Sequence, residues 1–343
     1  MKNMDKQRFS ETSLADGNAG IREERRRGQR AFLLENNSMR VAVLPELGGK
    51  IVSILFRRSG LPDFELAAQP ERFCYRMPDR NTEFAACDAS GIDDAFPTID
   101  PCVLPGEASR FSYTDHGEIW RSPFSSVICE DSLVLDYESK ENPFYYKKIV
   151  KLLNGGVRIR WRITNTGREP FPFLWTMHGL VRYEEDMELL YPEEIESFLN
   201  VLDSPELGRA GTKHSAGLKP GAGAGWNFHR VPPRSSGTQL KYYAAEKVRD
   251  GWCGYFYPDS QVRCILHYDA EKLPWLGMWI TAGGFRGDYN CAWEPSTGFY
   301  DGVEQALRTG TLRVLQPGEM FDFWAEYRLE RVADSAYRAY IRP

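Results

Sequence analysis

The chain has 343 residues and a net charge of −5 from 43 basic and 48 acidic side chains, with 42% hydrophobic and 13% aromatic residues. So mild a charge lacks the basic face that a nucleic-acid protein uses to neutralise phosphates. The polar start MKNMDKQRFSETS has no apolar stretch for a signal peptide, and no apolar run of 18 residues offers a membrane span.

The elements, taken in order, begin with a polar segment, residues 1–30, ending in the charge cluster REERRRGQR (22–30); it reads as a loose arm or one short helix. From Ala31 a single β domain is expected to run to residue 343. MRVAVLPELGGKIVSILF (39–56) holds two apolar runs broken by Pro45 and Gly48-Gly49, which predicts two strands and a turn. LVLDYES (133–139) and YYKKIVKLL (145–153) alternate, NGG (154–156) reads as a hairpin turn, and VRIRWRIT (157–164) has the clearest period of two. There Val157, Ile159, Trp161 and Ile163 share one face. Arg158, Arg160 and Arg162 share the other, where a row of arginines suits carboxylates on neighbouring strands.

Helical periodicity is confined to short candidates: 192–202, 300–310 and 333–341. Residues 203–238, rich in Gly, Pro and Ser, predict a long excursion between strands. The GAGAG at 221–225 is not a nucleotide loop, since no apolar strand leads into it and no helix follows. TLRVLQPGEMFDFWAEYRL (311–329) predicts a strand, a Pro-Gly turn and a long alternating strand. Many strands of five to ten residues between turns specify an all-β sandwich or barrel.

The seven cysteines, Cys74, Cys87, Cys102, Cys129, Cys253, Cys264 and Cys291, form no C-x-x-C pair. An odd, scattered set argues against a disulfide framework or a zinc site, and predicts reduced thiols in a cytoplasmic protein with no metal. Of the five histidines, His116 lies in the polar stretch TDHGEIWRSPF. His178 lies on the more polar side of the strand FPFLWTMHGLVRY, beside a small Gly179 that would let a ligand approach. Glu294, in NCAWEPSTGFYDG, ends an apolar strand between Trp293 and Pro295, a setting that partly desolvates a carboxylate. Taken singly, each of the three also fits an ordinary structural role, and His214, His229 and His267 have unremarkable settings.

The ordered series PELGGKIVSI (45–54), GIDDAFPT (91–98), DHGEIW (115–120), WTMHGL (175–180), AWEPSTG (292–298) and L-x-P-G-E (315–319) resembles the aldose 1-epimerase, or galactose mutarotase-like, superfamily over roughly residues 31–330. The resemblance implies an all-β supersandwich of large antiparallel sheets, with a small-molecule carbohydrate as substrate and no cofactor. It implies an isomerase in which Glu294 takes the proton of the anomeric hydroxyl, His178 protonates the ring oxygen and His116 helps to hold that oxygen. Lys50, Asp93, Asp94, Trp120 and Arg121 are the candidate hydroxyl-binding or stacking residues. The HG segment reads HGEIWR, with Glu118 and Trp120 ahead of Arg121, so the resemblance names no particular sugar. Two other readings stay open: a carbohydrate-binding protein without turnover, and a polysaccharide lyase or hydrolase using Glu118 and Glu294.

Overall fold

The computed structural model describes residues 20–69, 75–87, 90–105, 111–217 and 226–332. Two large antiparallel sheets dominate them. The larger, of thirteen strands, runs from Gly20–Arg26 through Gln29–Glu35, Met39–Leu44, Lys50–Phe56 and Ile92–Ala95 to Thr176–Gly179. It continues through Tyr289–Ser296, Trp275–Ala282, Thr238–Ala244 and Ser197–Asn200 to Lys213–Ser215. The second, of eight strands, runs from Glu188–Leu190 to the edge strand Ser125–Cys129, with Phe144–Leu153, Gly156–Asn165, Val262–Tyr268 and Met320–Arg331 inside it.

One core lies between the sheets, and the period of two explains its membership. Along Gly156–Asn165, Val157, Ile159, Trp161 and Ile163 are fully buried. Trp161 stacks on Phe323, with ring centroids 5.3 Å apart, and meets Trp175 edge-on at 4.8 Å. The alternate arginines point outward to carboxylates of the neighbouring strand: Arg158 to Glu326 at 2.6 Å, Arg160 and Arg162 to Asp322 at 2.6 and 2.9 Å. Gly48, Gly49 and Gly155 take positive φ at the expected turns.

Two local expectations change. The cluster at 22–30 is neither arm nor helix: Gly20–Arg26 pairs with Gln29–Glu35 as a hairpin. Its charges lie on a sheet edge, where they discourage pairing with another chain, and Arg22 and Arg30 meet Glu35 and Glu23 at 2.9 and 3.0 Å. Within 192–202 the structure has the strand Ser197–Asn200 instead of a helix. Phe198 there packs on Phe228 and Tyr242, and the segment pairs with Thr238–Ala244, so sheet pairing overrides a weak local pattern. The third helical candidate (333–341) and GAGAG lie outside the described residues. The second candidate holds the helix Val303–Arg308.

Candidate active site

Alternation along the large sheet sorts its central residues between two faces. Met177, Leu240, Tyr242 and Trp293 belong to the core between the sheets. Their neighbours His178, Lys241, Tyr243 and Glu294 therefore lie on the opposite face. The strand Trp275–Ala282 runs between Glu294 and the Lys241 strand, and it places Gly277 opposite both Glu294 and Tyr243. A Cβ at 277 would come within 2.8 Å of the Tyr243 ring. The missing side chain is what lets residues two strands apart meet.

The Glu294 carboxylate is fully buried. Its Oε1 lies 2.8 Å from His178 Nδ1 and its Oε2 lies 3.2 Å from Lys241 Nζ. The same ammonium lies 2.9 Å from Asp301 Oδ1, which also accepts the Tyr243 hydroxyl at 2.7 Å. Burial by itself would raise the Glu294 carboxyl, but the Lys241 charge and the His178 hydrogen bond outweigh it and hold it at about 2. Burial works against the Lys241 ammonium too, yet Asp301 and Glu294 together keep its proton bound more tightly than usual.

His116 arrives from a loop. It takes φ 55° and Gly117 φ 73°, and a Cβ on Gly117 would lie 2.0 Å from the Phe96 carbonyl oxygen. The backbone N–H groups of His116 and Glu118 donate to Ile99 and Phe96 at 2.6 and 2.7 Å, so the loop is tied at both ends of the turn. His116 Nδ1 lies 2.7 Å from Asp115 Oδ1. Burial lowers the His116 pKa below the ordinary imidazole value, Asp115 opposes that and the nearby His178 adds to it. Phe84 stacks on His116 at 4.0 Å and meets His178 edge-on at 5.1 Å. The two imidazoles are 5.2 Å apart.

Both imidazoles open on a cleft of about 380 Å³, within the usual range for a small-molecule site. Trp279, Phe285, Leu180 and Ile99 supply apolar wall, and Asp100, Gln239, Lys241, Asn290 and Asp301 supply polar groups. Trp279 donates from Nε1 to Asn290 at 3.1 Å and meets Phe285 edge-on.

No protein-family model matches the chain, and no curated protein matches it. Solved structures do. The Slr1438 protein from Synechocystis sp. PCC 6803 is similar with a TM-score of 0.65 and 18% identity, over 96% of this chain and 100% of that one. A galactose mutarotase related enzyme from Lactobacillus acidophilus gives 0.62 and 14%, over 89% and 98%. A galactose mutarotase-like protein from Clostridium acetobutylicum gives 0.63 and 13%, over 92% and 99%.

The chain has the galactose mutarotase-like fold. At these identities the likeness speaks for architecture, and the chemistry has to be argued from the side chains.

Within this mutarotase-like fold, His116, His178 and Glu294 come together, with Glu294 behind His178 and away from the cleft wall. The five proposed sugar contacts are placed otherwise. Lys50 and Asp93 form a buried ion pair at 2.6 Å. Asp94 faces the core, where Lys148 lies at 3.1 Å and Tyr146 and Trp161 donate to it at 3.0 and 2.9 Å. Trp120 is buried behind Phe84, its Nε1 donating to the Asp115 carbonyl at 3.0 Å. Arg121 pairs with Glu141 at 3.0 Å. None of the five lines the cleft. Glu118 is likewise buried away from it and accepts bonds from Tyr137, Ser139 and Asn142, so it does not form a carboxylate pair with Glu294. Gly179 leaves room for the Tyr327 hydroxyl, which a Cβ would approach to 2.6 Å, and not for a ligand.

Sequence reading missed Asp115, Phe84, Trp279, Asp301 and Lys241. The strand TQLKYYA did carry a signal for Lys241, a cation flanked by the core residues Leu240 and Tyr242 on the side it shares with Gln239. Among the described residues no group of three or more His, Cys, Asp or Glu is arranged to hold a metal ion.

Proposed function

We propose that the protein is an aldose 1-epimerase-like isomerase that interconverts the α and β anomers of a small sugar or sugar derivative by acid–base ring opening and closure. The observation that carries this reading is the pair of imidazoles 5.2 Å apart on one cleft, each with Nδ1 tied to its own carboxylate. Such pairing fixes the tautomer and leaves the Nε2 edge for a substrate.

In this scheme neutral His116 takes the proton of the anomeric hydroxyl through Nε2. The O–H electrons form the C1 carbonyl, the bond from C1 to the ring oxygen breaks, and that oxygen takes a proton from His178. Rotation about C1–C2 and the reverse transfers close the ring on the other face. Glu294 is the counter-charge of the His178 imidazolium, a change from the direct base role implied by family resemblance. Two observations favour the change: the carboxylate has no exposed surface, and a group held at about 2 is a weak base for a hydroxyl proton. Trp279 and Phe285 suit the C–H faces of a pyranose, while Asp100, Gln239 and Asn290 suit its hydroxyls. The six described free cysteines suit a cytoplasmic location.

The test is anomer exchange by NMR or polarimetry on a panel of freshly dissolved aldoses. The protein should accelerate exchange, and His178→Asn and His116→Asn should each lose about 10²–10⁴-fold. Absence of acceleration across the panel overturns the reading; sugar binding without exchange replaces it with a binding protein of the same fold.

A further inference from the structure

Lys241 is a cation on the cleft wall that reaches the buried carboxylate behind His178, and it is held from two sides. Its Nζ lies 3.2 Å from Glu294 Oε2 and 2.9 Å from Asp301 Oδ1, its side chain is 13% exposed, and the Tyr243 ring packs in the space left by Gly277 between the two strands. We propose that Lys241 is a positioning residue that keeps Glu294 ionised and aimed at His178, so that the carboxylate orients the imidazole and does not compete for its proton. This rests on the acid–base reading above and adds to it a member that the motif series does not contain.

The physical argument is the cost of a lone buried anion. A carboxylate without exposed surface protonates unless a cation or several donors face it, and its pKa can then rise by several units. Facing Glu294 are His178 from the strand Thr176–Gly179, and Lys241 and Tyr243 from Thr238–Ala244. Residue 277, opposite it on Trp275–Ala282, offers no side chain. Asp301 and Asp100 lie on the far side of the ammonium, and His116 with Asp115 lies beyond His178. Among the described residues, Lys241 is thus the only fixed cation around Glu294. With it in place, Glu294 accepts a hydrogen bond from His178 Nδ1 at any working pH. Without it, a protonated Glu294 turns from acceptor into donor, and the imidazole loses its anchor.

Two measurements on Lys241→Met and Lys241→Arg decide the matter. In ¹⁵N-histidine NMR without substrate at neutral pH, the His178 Nδ1 signal of the Met variant should move away from its parent position as the bond to Glu294 weakens. The Arg variant should stay near the parent. In exchange kinetics, the Met variant should lose activity most below neutrality, with recovery at higher pH and rescue by Arg. An unchanged His178 Nδ1 signal in a folded Met variant overturns the proposal, as does a loss of activity uniform in pH. A displaced His178 signal in a protein that turns over no sugar keeps the role of Lys241 and removes the proposed reaction instead.

Discussion

At the scale of single residues, two histidine–carboxylate pairs behave differently because their surroundings do. His116 is buried against Phe84, which disfavours its charged form, whereas Glu294 is kept ionised by its neighbours. If neutral His116 is the proton acceptor, activity should fall as pH drops through a midpoint below the ordinary imidazole value of about 6.5, and Phe84→Ala should move that midpoint upward by re-solvating the ring. A pH–rate profile of the two proteins checks this. Stability has its own window. The Glu294 carboxyl is lower in the folded protein than its ordinary 4.5, so its contribution is complete above that value and is lost as pH falls toward about 2. The melting temperature of Glu294→Gln should therefore depend less on pH across this range than that of the parent.

At the scale of elements, the site depends on close approach between strands. Gly277 and Gly117 are the positions where a side chain would collide with the parts that hold the site. Gly277→Val should displace Tyr243 and Lys241 and cost about 1–3 kcal/mol of stability, with at least a tenfold loss in exchange rate. Denaturant unfolding and exchange NMR check the pair, and a variant with parental values for both would contradict this account of the strand crossing. Strand patterns were legible where alternation was strong, as in VRIRWRIT, because burial on one face leaves the period of two in the residues themselves. They were not legible in 192–202 or at Gly20–Arg26, where pairing with distant or charged partners sets the conformation and the local pattern is weak or polar.

At the scale of the molecule, the two sheets enclose a core that contains charge. Asp94 and Lys148 are both fully buried, and Tyr146, Trp161 and Trp175 join the network, Trp175 donating to the Tyr146 hydroxyl at 2.8 Å. Removing one partner leaves the other unpaired in the interior. Lys148→Met should cost about 3–5 kcal/mol, and Asp94→Asn in the same protein should recover part of it. Urea unfolding of the parent and the two variants measures this. His116, His178 and Glu294 were within reach of sequence because each sits in a recognisable segment of an ordered series. Lys50, Asp93, Asp94, Trp120 and Arg121 sit in such segments too, yet they face ion pairs, the core or the outer rim. A strand's sequence shows which residues share a face but not which partner lies across from it. The sequence therefore determined the all-β class through periodicity, and segment order singled out His116, His178 and Glu294 as candidates. Only the tertiary structure decided that Glu294 stands behind His178 and that Lys241 reaches it. Both facts depend on residues brought together across strands far apart in the chain.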